Sequence, residues 1–431
     1  LSMTIDGELP YDTASRITLS RVWVNEQEIY TDSRGNQVRP SQIQKEMWRS
    51  SDFGDTDGLF SEPLFFMLEK GRHEVTLSSE RAQLAIESFK FYNPEELPTY
   101  SEYTASVSSS ATKDSTPSNL FRIEGEDAVY KSDSTLYPTY DNTNYLVSPS
   151  DPRKVVYNTL GSGNWQKALQ SVTWNISRED IKNSVWYKIG IKSRQSQMRG
   201  FYSNRRIYID GKVLCDELDQ VKFYYDTDWS VVSPKADGDY VYVYLDADTD
   251  HTLTMECVPG EIGDSLRKLD DVVADLNTYY RKVLMITGPS PDQYTDYYVH
   301  EKIPELVSEF ERISGELKQI QSDIEDLSGS SGSEASALEN MTVILDKCTA
   351  KPLKIPSYLS QIKDNITSIS SWMRDYRDQP LEVDYIEFAS ADKSFTSCDK
   401  KLGKSLSFSW NAFIGSFFED YTTLSDVTGE D

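Results

Sequence analysis

The stretch Leu381-Glu382-Val383-Asp384-Tyr385-Ile386-Glu387-Phe388 decides the reading of this sequence, because it has a near twin at Leu84-Ala85-Ile86-Glu87-Ser88-Phe89-Lys90-Phe91. Both alternate apolar and polar residues, the period-2 pattern of a strand that buries one face. The segments before the two strands also match. The first copy runs Ile5-Asp6-Gly7, then Ile17-Thr18-Leu19, Trp23, Leu64 to Leu68, Glu69-Lys70-Gly71 and His73-Glu74-Val75-Thr76-Leu77. The second runs Ile209-Asp210-Gly211, then Val221-Lys222-Phe223, Trp229, Val241 to Leu245, Asp246-Ala247-Asp248 and His251-Thr252-Leu253-Thr254-Met255. Alternation broken by a Gly- or Asp-rich turn marks hairpins, so the chain holds an internal repeat of β-modules.

Between Met255 and Leu381 the second copy carries a long segment absent from the first. Leu266, Leu269, Val272, Val273, Leu276, Tyr280 and Val283 fall at helical spacing, as do Ile303, Leu306, Val307, Phe310, Ile313, Leu317, Ile320, Ile324 and Leu327. After the Ser/Gly-rich stretch from Ser328 to Ser333 come Leu338, Met341 and Leu345, then Leu359, Ile362, Ile366, Ile369 and Met373. Such stripes bury one another in an antiparallel bundle. The expected fold is mainly β plus α: jelly-roll β-sandwich modules, with a three- to four-helix bundle inserted before the last strand of the second.

The second copy also has a front half, Phe121 to Asp127, Val172 to Ile176 and Trp186 to Lys192, that the first lacks. The first module therefore reads as truncated, and the native protein is expected to continue upstream. The expected boundaries are 1–103 for that module, a Ser/Thr-rich linker at 104–120, 121–260 with 379–392 for the second module, 261–378 for the bundle, and a tail at 393–431 leading to a further domain.

Composition narrows the function. With 44 Lys+Arg against 70 Asp+Glu, the net charge is −26, and such a surface repels nucleic acid. No apolar run is long enough to span a bilayer. The four Cys form no CxxC pair, which leaves no zinc ribbon or redox motif. Cys215 and Cys257, in strand-like segments, read as buried thiols, with a bridge between them as the other option. No GxSxG, HExxH, P-loop or GxGxxG context occurs. His73 and His251 sit at matching repeat positions, which gives them a structural reading. The chain is expected not to be an enzyme.

Aromatic content is 12%, including 27 Tyr, and flat rings cover the apolar face of a sugar. Tyr137, Tyr140 and Asn144 lie in loop-like stretches, as does Trp165, while Arg199 and Arg205 flank the Ile-Asp-Gly hairpin. These six are the candidate sugar-binding residues. The competing reading is that Trp165 caps the core and the tyrosines anchor loops. In the first copy, Arg34-Gly35-Asn36 and Arg39-Pro40 sit in a long loop of the kind that carries binding on rigid scaffolds.

Ile123-Glu124-Gly125-Glu126-Asp127-Ala128, Ser171-Val172-Thr173-Trp174, Tyr187-Lys188-Ile189-Gly190, Ile207 to Gly211 and Val383-Asp384-Tyr385-Ile386 together resemble carbohydrate-binding modules of families 6 and 35. With helices inserted before the closing strand, the arrangement also resembles the region upstream of the solute-binding domain in large Firmicutes ABC-transporter lipoproteins. The resemblance implies non-catalytic binding of an oligo- or polysaccharide at a bacterial cell surface, with an attached solute-binding domain and a membrane permease as partners. It also implies a structural calcium bridging the opening and closing strands, with Glu124, Glu126 and Asp384 at the matching positions. The alternative is a spacer or protein-interaction platform that has no sugar site.

Overall fold

The computed structural model describes residues 1–79, 84–93, 95–107, 112, 118–292, 294–328, 333–400 and 402–418. The first copy supplies β1 (Ser2–Ile5), β2 (Val22–Asn25), β3 (Tyr30–Thr31), β4 (Gln37–Val38), β5 (Gln42–Lys45), β6 (Val75–Ser78) and α1 (Tyr100–Ser106). The second supplies β7 (Leu120–Glu124), β8 (Tyr130–Lys131), β9 (Pro138–Thr139), β10 (Thr159–Ser162), β11 (Ser171–Ile176), β12 (Val185–Gln195) and β13 (Tyr202–Ile209). It continues with β14 (Val221–Tyr224), β15 (Asp226–Val232), β16 (Lys235–Ala236), β17 (Asp239–Tyr240), β18 (Tyr242–Leu245) and β19 (His251–Cys257). The bundle is α2 (Ile262–Thr287), the short α3 (Val299–Lys302), α4 (Leu306–Ser328), α5 (Ser333–Ala350) and α6 (Leu359–Arg377). It is followed by β20 (Leu381–Ala389) and α7 (Leu402–Phe418).

Two seven-stranded antiparallel sheets form the sandwich. One runs β15-β12-β20-β10-β9, with β18 also on β12 and β7 also on β20; the other runs β14-β13-β19-β11-β8-β2-β5. Every second residue of each strand faces the space between the sheets, where Trp174, Tyr187, Ile189, Ile191, Ile207, Leu253 and Met255 are buried. The closing strand β20 lies at the centre of its sheet, between β12 on one side and β7 and β10 on the other. Its register shifts where Lys192 faces Tyr385 but Ser193 faces Val383. Asp384 is the extra residue of this bulge. The bulge keeps Leu381, Val383, Ile386 and Phe388 all on the core face.

The bundle is as the stripes require: Leu266, Leu269, Leu276, Phe310, Ile313, Leu317, Met341, Leu345, Ile362 and Ile369 are all buried in one apolar cluster. The chain leaves the sandwich at Pro259 and returns at Gln379. The Gln379 side chain ties the two crossings, donating from Nε2 to Pro259 O (3.2 Å) and accepting from Asn204 N (2.7 Å).

Two expectations are corrected. The first copy does not make a sandwich of its own: β2 and β5 extend the second sheet, through Trp23 opposite Lys131, while β1 pairs only with β6 and β3 with β4. Lys131 is buried at this seam and donates to Asn25 Oδ1 and Gln42 Oε1; burial pushes its ammonium down to about 8. The linker does not begin at 104, because α1 runs through that boundary. Thr99 and Glu102 cap α1 reciprocally, and Tyr103 packs edge-on to Trp186 at 5.7 Å. Most of the rest of the expected linker lies outside the described residues. Cys215 and Cys257 are buried free thiols, as their strand-like sequence implies, and not a bridge.

The repeat is reproduced atom for atom at its hairpin. Asp6 (φ 54°) and Asp210 (φ 51°) take the left-handed conformation. Asp6 Oδ1 accepts from Glu74 N and Oδ2 meets His73 Nδ1, just as Asp210 Oδ1 accepts from Thr252 N and Oδ2 meets His251 Nδ1. The structural reading of both histidines stands.

Candidate functional site

The first copy's β3–β4 hairpin lies against the loop before β10. Gln37 N donates to Val155 O (2.8 Å), Val155 N to Asn36 Oδ1 (3.0 Å), Tyr157 N to Gln37 Oε1 (2.7 Å) and Lys154 Nζ to Arg34 O (2.8 Å). This docking carries Arg39 over the ring of Tyr137, 4.0 Å from its centroid. On the other side of β9, Tyr140 meets Tyr157 edge-on at 5.9 Å. Tyr140 is 48% exposed, Arg39 is exposed, and Tyr137 and Tyr157 are half-buried. Burial raises the Tyr157 phenol above its ordinary value. Three rings and a guanidinium thus meet where the two copies join. Such a surface can stack on an apolar ligand face and hydrogen-bond its hydroxyls.

Of the expected sugar-binding residues, only Tyr137 and Tyr140 belong to this patch. Asn144 is turned to its own backbone, its Oδ1 accepting from Leu146 N. Arg199 is exposed in the turn between β12 and β13. Trp165 and Arg205 are corrected outright: both are fully buried and neither can touch a sugar. The Arg205 guanidinium lies 4.4 Å from the Trp165 ring centroid and donates to the carbonyls of Asn204, Trp165 and Gln379. It satisfies carbonyls stranded where the chain returns from the bundle. Sequence reading noted Arg39 in its loop but missed Tyr157; no local pattern shows that this loop reaches the second copy.

The face of the β12–β20 sheet turned away from the core is charged and largely closed over. Arg122 pairs with Glu387 (3.0 Å), Arg194 with Glu382 (2.7 Å) and Asp141 (3.1 Å), and Lys192 with Asp384 (2.8 Å). Arg122 and Lys192 also lie over the Tyr385 ring. Residues 394–400 form a strap over this face, with the Thr396 hydroxyl donating to Glu387 Oε1 (2.6 Å) and Thr396 N donating to Oε2 (2.8 Å). Beneath the strap a cavity of about 650 Å³ opens beside Lys188, Trp229, Tyr240 and Phe395.

The three carboxylates implied for calcium lie at one end of this face. Gly125 brings β7 close to β20: a Cβ there would stand 2.6 Å from Val383 O and 2.8 Å from Asp384 O. Burial pushes Glu124 up to about 7, Glu126 to about 9 and Asp384 to about 6; neighbouring acids raise Glu124 and Glu126 further, while Lys192 and Arg122 pull Asp384 back down. Glu124 Oε2 and Glu126 Oε2 are buried without a hydrogen-bond partner. The cation beside Asp384 is nevertheless the chain's own Lys192, which also donates to Leu146 O. Among the described residues no group of three or more His, Cys, Asp or Glu is arranged to hold a metal ion. These residues do not fit calcium as they stand; Lys192, Arg122 and retained protons balance the charge instead.

No helix among the described residues is long and apolar enough to cross a membrane. No curated protein matches the chain. A local likeness exists to the crystal structure of a Paenibacillus sp. cycloisomaltooligosaccharide glucanotransferase complexed with cycloisomaltoheptaose. Identity is 15%, the TM-score is 0.23, and the match covers 32% of this chain and 16% of that one. At that score the likeness carries no argument, and the activity in its name is that protein's. Residues 264–378 match the family model of the bacterial solute-binding protein 4-helix bundle domain. The match falls on α2 to α6, so the insertion in this β-sandwich is similar to the four-helix bundle domain of bacterial solute-binding proteins.

Proposed function

We propose that this chain is a non-catalytic, extracytoplasmic accessory region of a bacterial solute-binding protein that holds an oligo- or polysaccharide for an attached uptake system. The solute-binding context rests on the bundle, whose family match covers residues 264–378. The carbohydrate part rests on the Arg39, Tyr137, Tyr140 and Tyr157 patch, with Tyr140 offering an open ring to a pyranose face. The test is a glycan array followed by calorimetry on the whole chain, comparing the parent with Tyr140→Ala. Saturable binding that weakens about tenfold or more in the variant, the loss of about 1.4 kcal/mol expected for a stacked ring, supports the reading. No binding by folded protein sinks it.

The burial of Trp165 and Arg205 favours one second reading, a spacer or protein-interaction platform without a sugar site. That reading predicts that the folded parent binds no glycan.

A further inference from the structure

On β12 the core residues Tyr187, Ile189 and Ile191 alternate with Lys188, Gly190 and Lys192, which point to the charged outer face. Lys192 and Arg194 find carboxylates on β20, Asp384 at 2.8 Å and Glu382 at 2.7 Å. Lys188 does not, because its register partners are Ala389 on β20 and Tyr242 on β18. Its side chain is nevertheless buried, at 6% exposure. The Nζ lies 4.6 Å from the ring centroid of Tyr240 and 5.3 Å from that of Phe395, and makes no hydrogen bond or ion pair with a described residue. Other buried cations are satisfied within the chain, Lys131 by Asn25 and Gln42 and Arg205 by three carbonyls. Burial pulls the Lys188 ammonium below its ordinary value. The two rings offset part of that cost, but a dry ammonium still lacks a counterion.

Lys188 lines the cavity of about 650 Å³ beneath the 394–400 strap, a volume that suits a small molecule. The carboxylates on its rim are already engaged: Asp228 pairs with Lys400 at 2.6 Å, and Asp399 Oδ2 accepts from the Ser397 hydroxyl at 2.6 Å. Asp392, the acid nearest in its effect on Lys188, accepts from the Ser390 hydroxyl. The Ser230 and Ser394 hydroxyls border the same space. We propose that this cavity binds a small monocarboxylate with a flat or apolar body, its carboxylate on Lys188 Nζ and its body against the rings of Tyr240 and Phe395. One ammonium balances one negative charge. The second charge of a phosphate dianion would stand uncompensated beside Asp228 and Asp399. The cavity lies at the β15 edge of the sheet and the Arg39–Tyr140 patch at the β9 edge, so this site stands apart from the sugar reading and does not depend on it.

Cys398 lines the cavity and is half-buried, while Cys215, Cys257 and Cys348 are buried, so the rate of its alkylation by a maleimide reports occupancy. The test measures that rate on the whole chain against benzoate and its neutral twin benzamide, at fixed ionic strength. Benzoate should slow alkylation saturably, with a midpoint on the order of 1 mM for so small a probe, and benzamide should need about tenfold more. Lys188→Met keeps the stem and removes the charge, and should abolish the preference for benzoate while the three buried thiols stay unreactive. Equal protection by the two probes in the parent overturns the proposal, and this comparison decides even where Lys188→Met fails to fold. A benzoate preference that survives in folded Lys188→Met overturns it too, as does no protection up to about 50 mM. Protection by inorganic phosphate as strong as that by benzoate overturns the carboxylate assignment.

Discussion

Arg205 lays its guanidinium 4.4 Å from the centroid of the Trp165 ring, and both side chains are fully buried at the root of the helical insertion. Three carbonyls depend on that guanidinium, one of them on Gln379, where the chain returns from α6. The pair joins β13, the loop after β10 and the stem of the bundle.

Removing either partner is therefore expected to cost stability. Trp165→Ala leaves a large cavity, at about 3–5 kcal/mol. Arg205→Met strands buried carbonyls, at about 2–5 kcal/mol. Urea denaturation followed by circular dichroism gives both values. On the proposed sugar-binding reading, the fraction that remains folded should keep whatever glycan affinity the parent has. A stable Trp165→Ala protein that loses a glycan affinity measured in the parent would return Trp165 to the candidate sugar-binding residues.

Phe395 occupies the notch left by Gly190 on β12: a Cβ there would lie 2.6 Å from two of its ring carbons. Gly190→Ala should push the strap off the sheet at about 1–3 kcal/mol, the usual cost of overpacking. Proteolytic nicking between residues 391 and 400 should then rise. Adding Phe395→Ala should recover part of the lost stability. Equal nicking of parent and Gly190→Ala would show that the strap does not depend on this contact.

The exposed Asp6–His73 pair gives a pH window. Backbone and His73 hydrogen bonds hold the Asp6 carboxyl below its ordinary value, and the bond to Asp6 holds the His73 imidazole above its own. The carboxylate's contribution is present above about pH 4 and is lost as pH falls through its lowered pKa. The imidazolium's is complete below about pH 6.5 and is lost as pH rises through its raised pKa. The hairpin should be tightest between these limits. An NMR titration should place His73 above 6.5 in the parent and lower in Asp6→Asn; an identical midpoint in both would contradict the pairing.

Glu126 acts in the opposite sense. Its carboxyl, pushed up to about 9 chiefly by burial, keeps its proton in the native state while the unfolded chain ionises near 4.5. Native stability therefore falls as pH rises between those values, by up to about 1.4 kcal/mol per pH unit for this group. Glu126→Gln should match the parent near pH 4 and exceed it at pH 8. Calcium or a chelator should leave the parent's melting temperature unchanged at pH 8. A rise of several degrees with calcium would give the three acids to the metal.

The strands and bundle helices were readable because burial on one face leaves a period, and β20 shows it even across the bulge at Asp384. The role of β2 and β5 was not readable. Edge pairing is made by backbone groups, so nothing in Val22 to Asn25 says which strand it will join. Arg205 misled because it shares the core face of β13 with Ile207 and Ile209, where an arginine is tolerated only because the carbonyls of Asn204, Trp165 and Gln379 converge on it. Trp165 sits in a turn, where no period separates a core ring from a surface one. The Arg39–Tyr137 contact depends on a hairpin from one repeat docking on a loop of the other, a long-range fact that local pattern does not carry.

The central position of β20 also sets an order of assembly. Phe121 on β7 and Phe388 on β20 face each other in the sheet, yet the whole bundle is translated between them. Until β20 emerges, β12 and β7 have no strand between them and their sheet cannot close. Folding the helices first brings Pro259 and Gln379 together and removes most of the loop-closure entropy that so distant a pairing costs. The insertion then works as an internal scaffold for the domain that contains it. Loosening the bundle should slow completion of the sandwich more than it weakens the finished one.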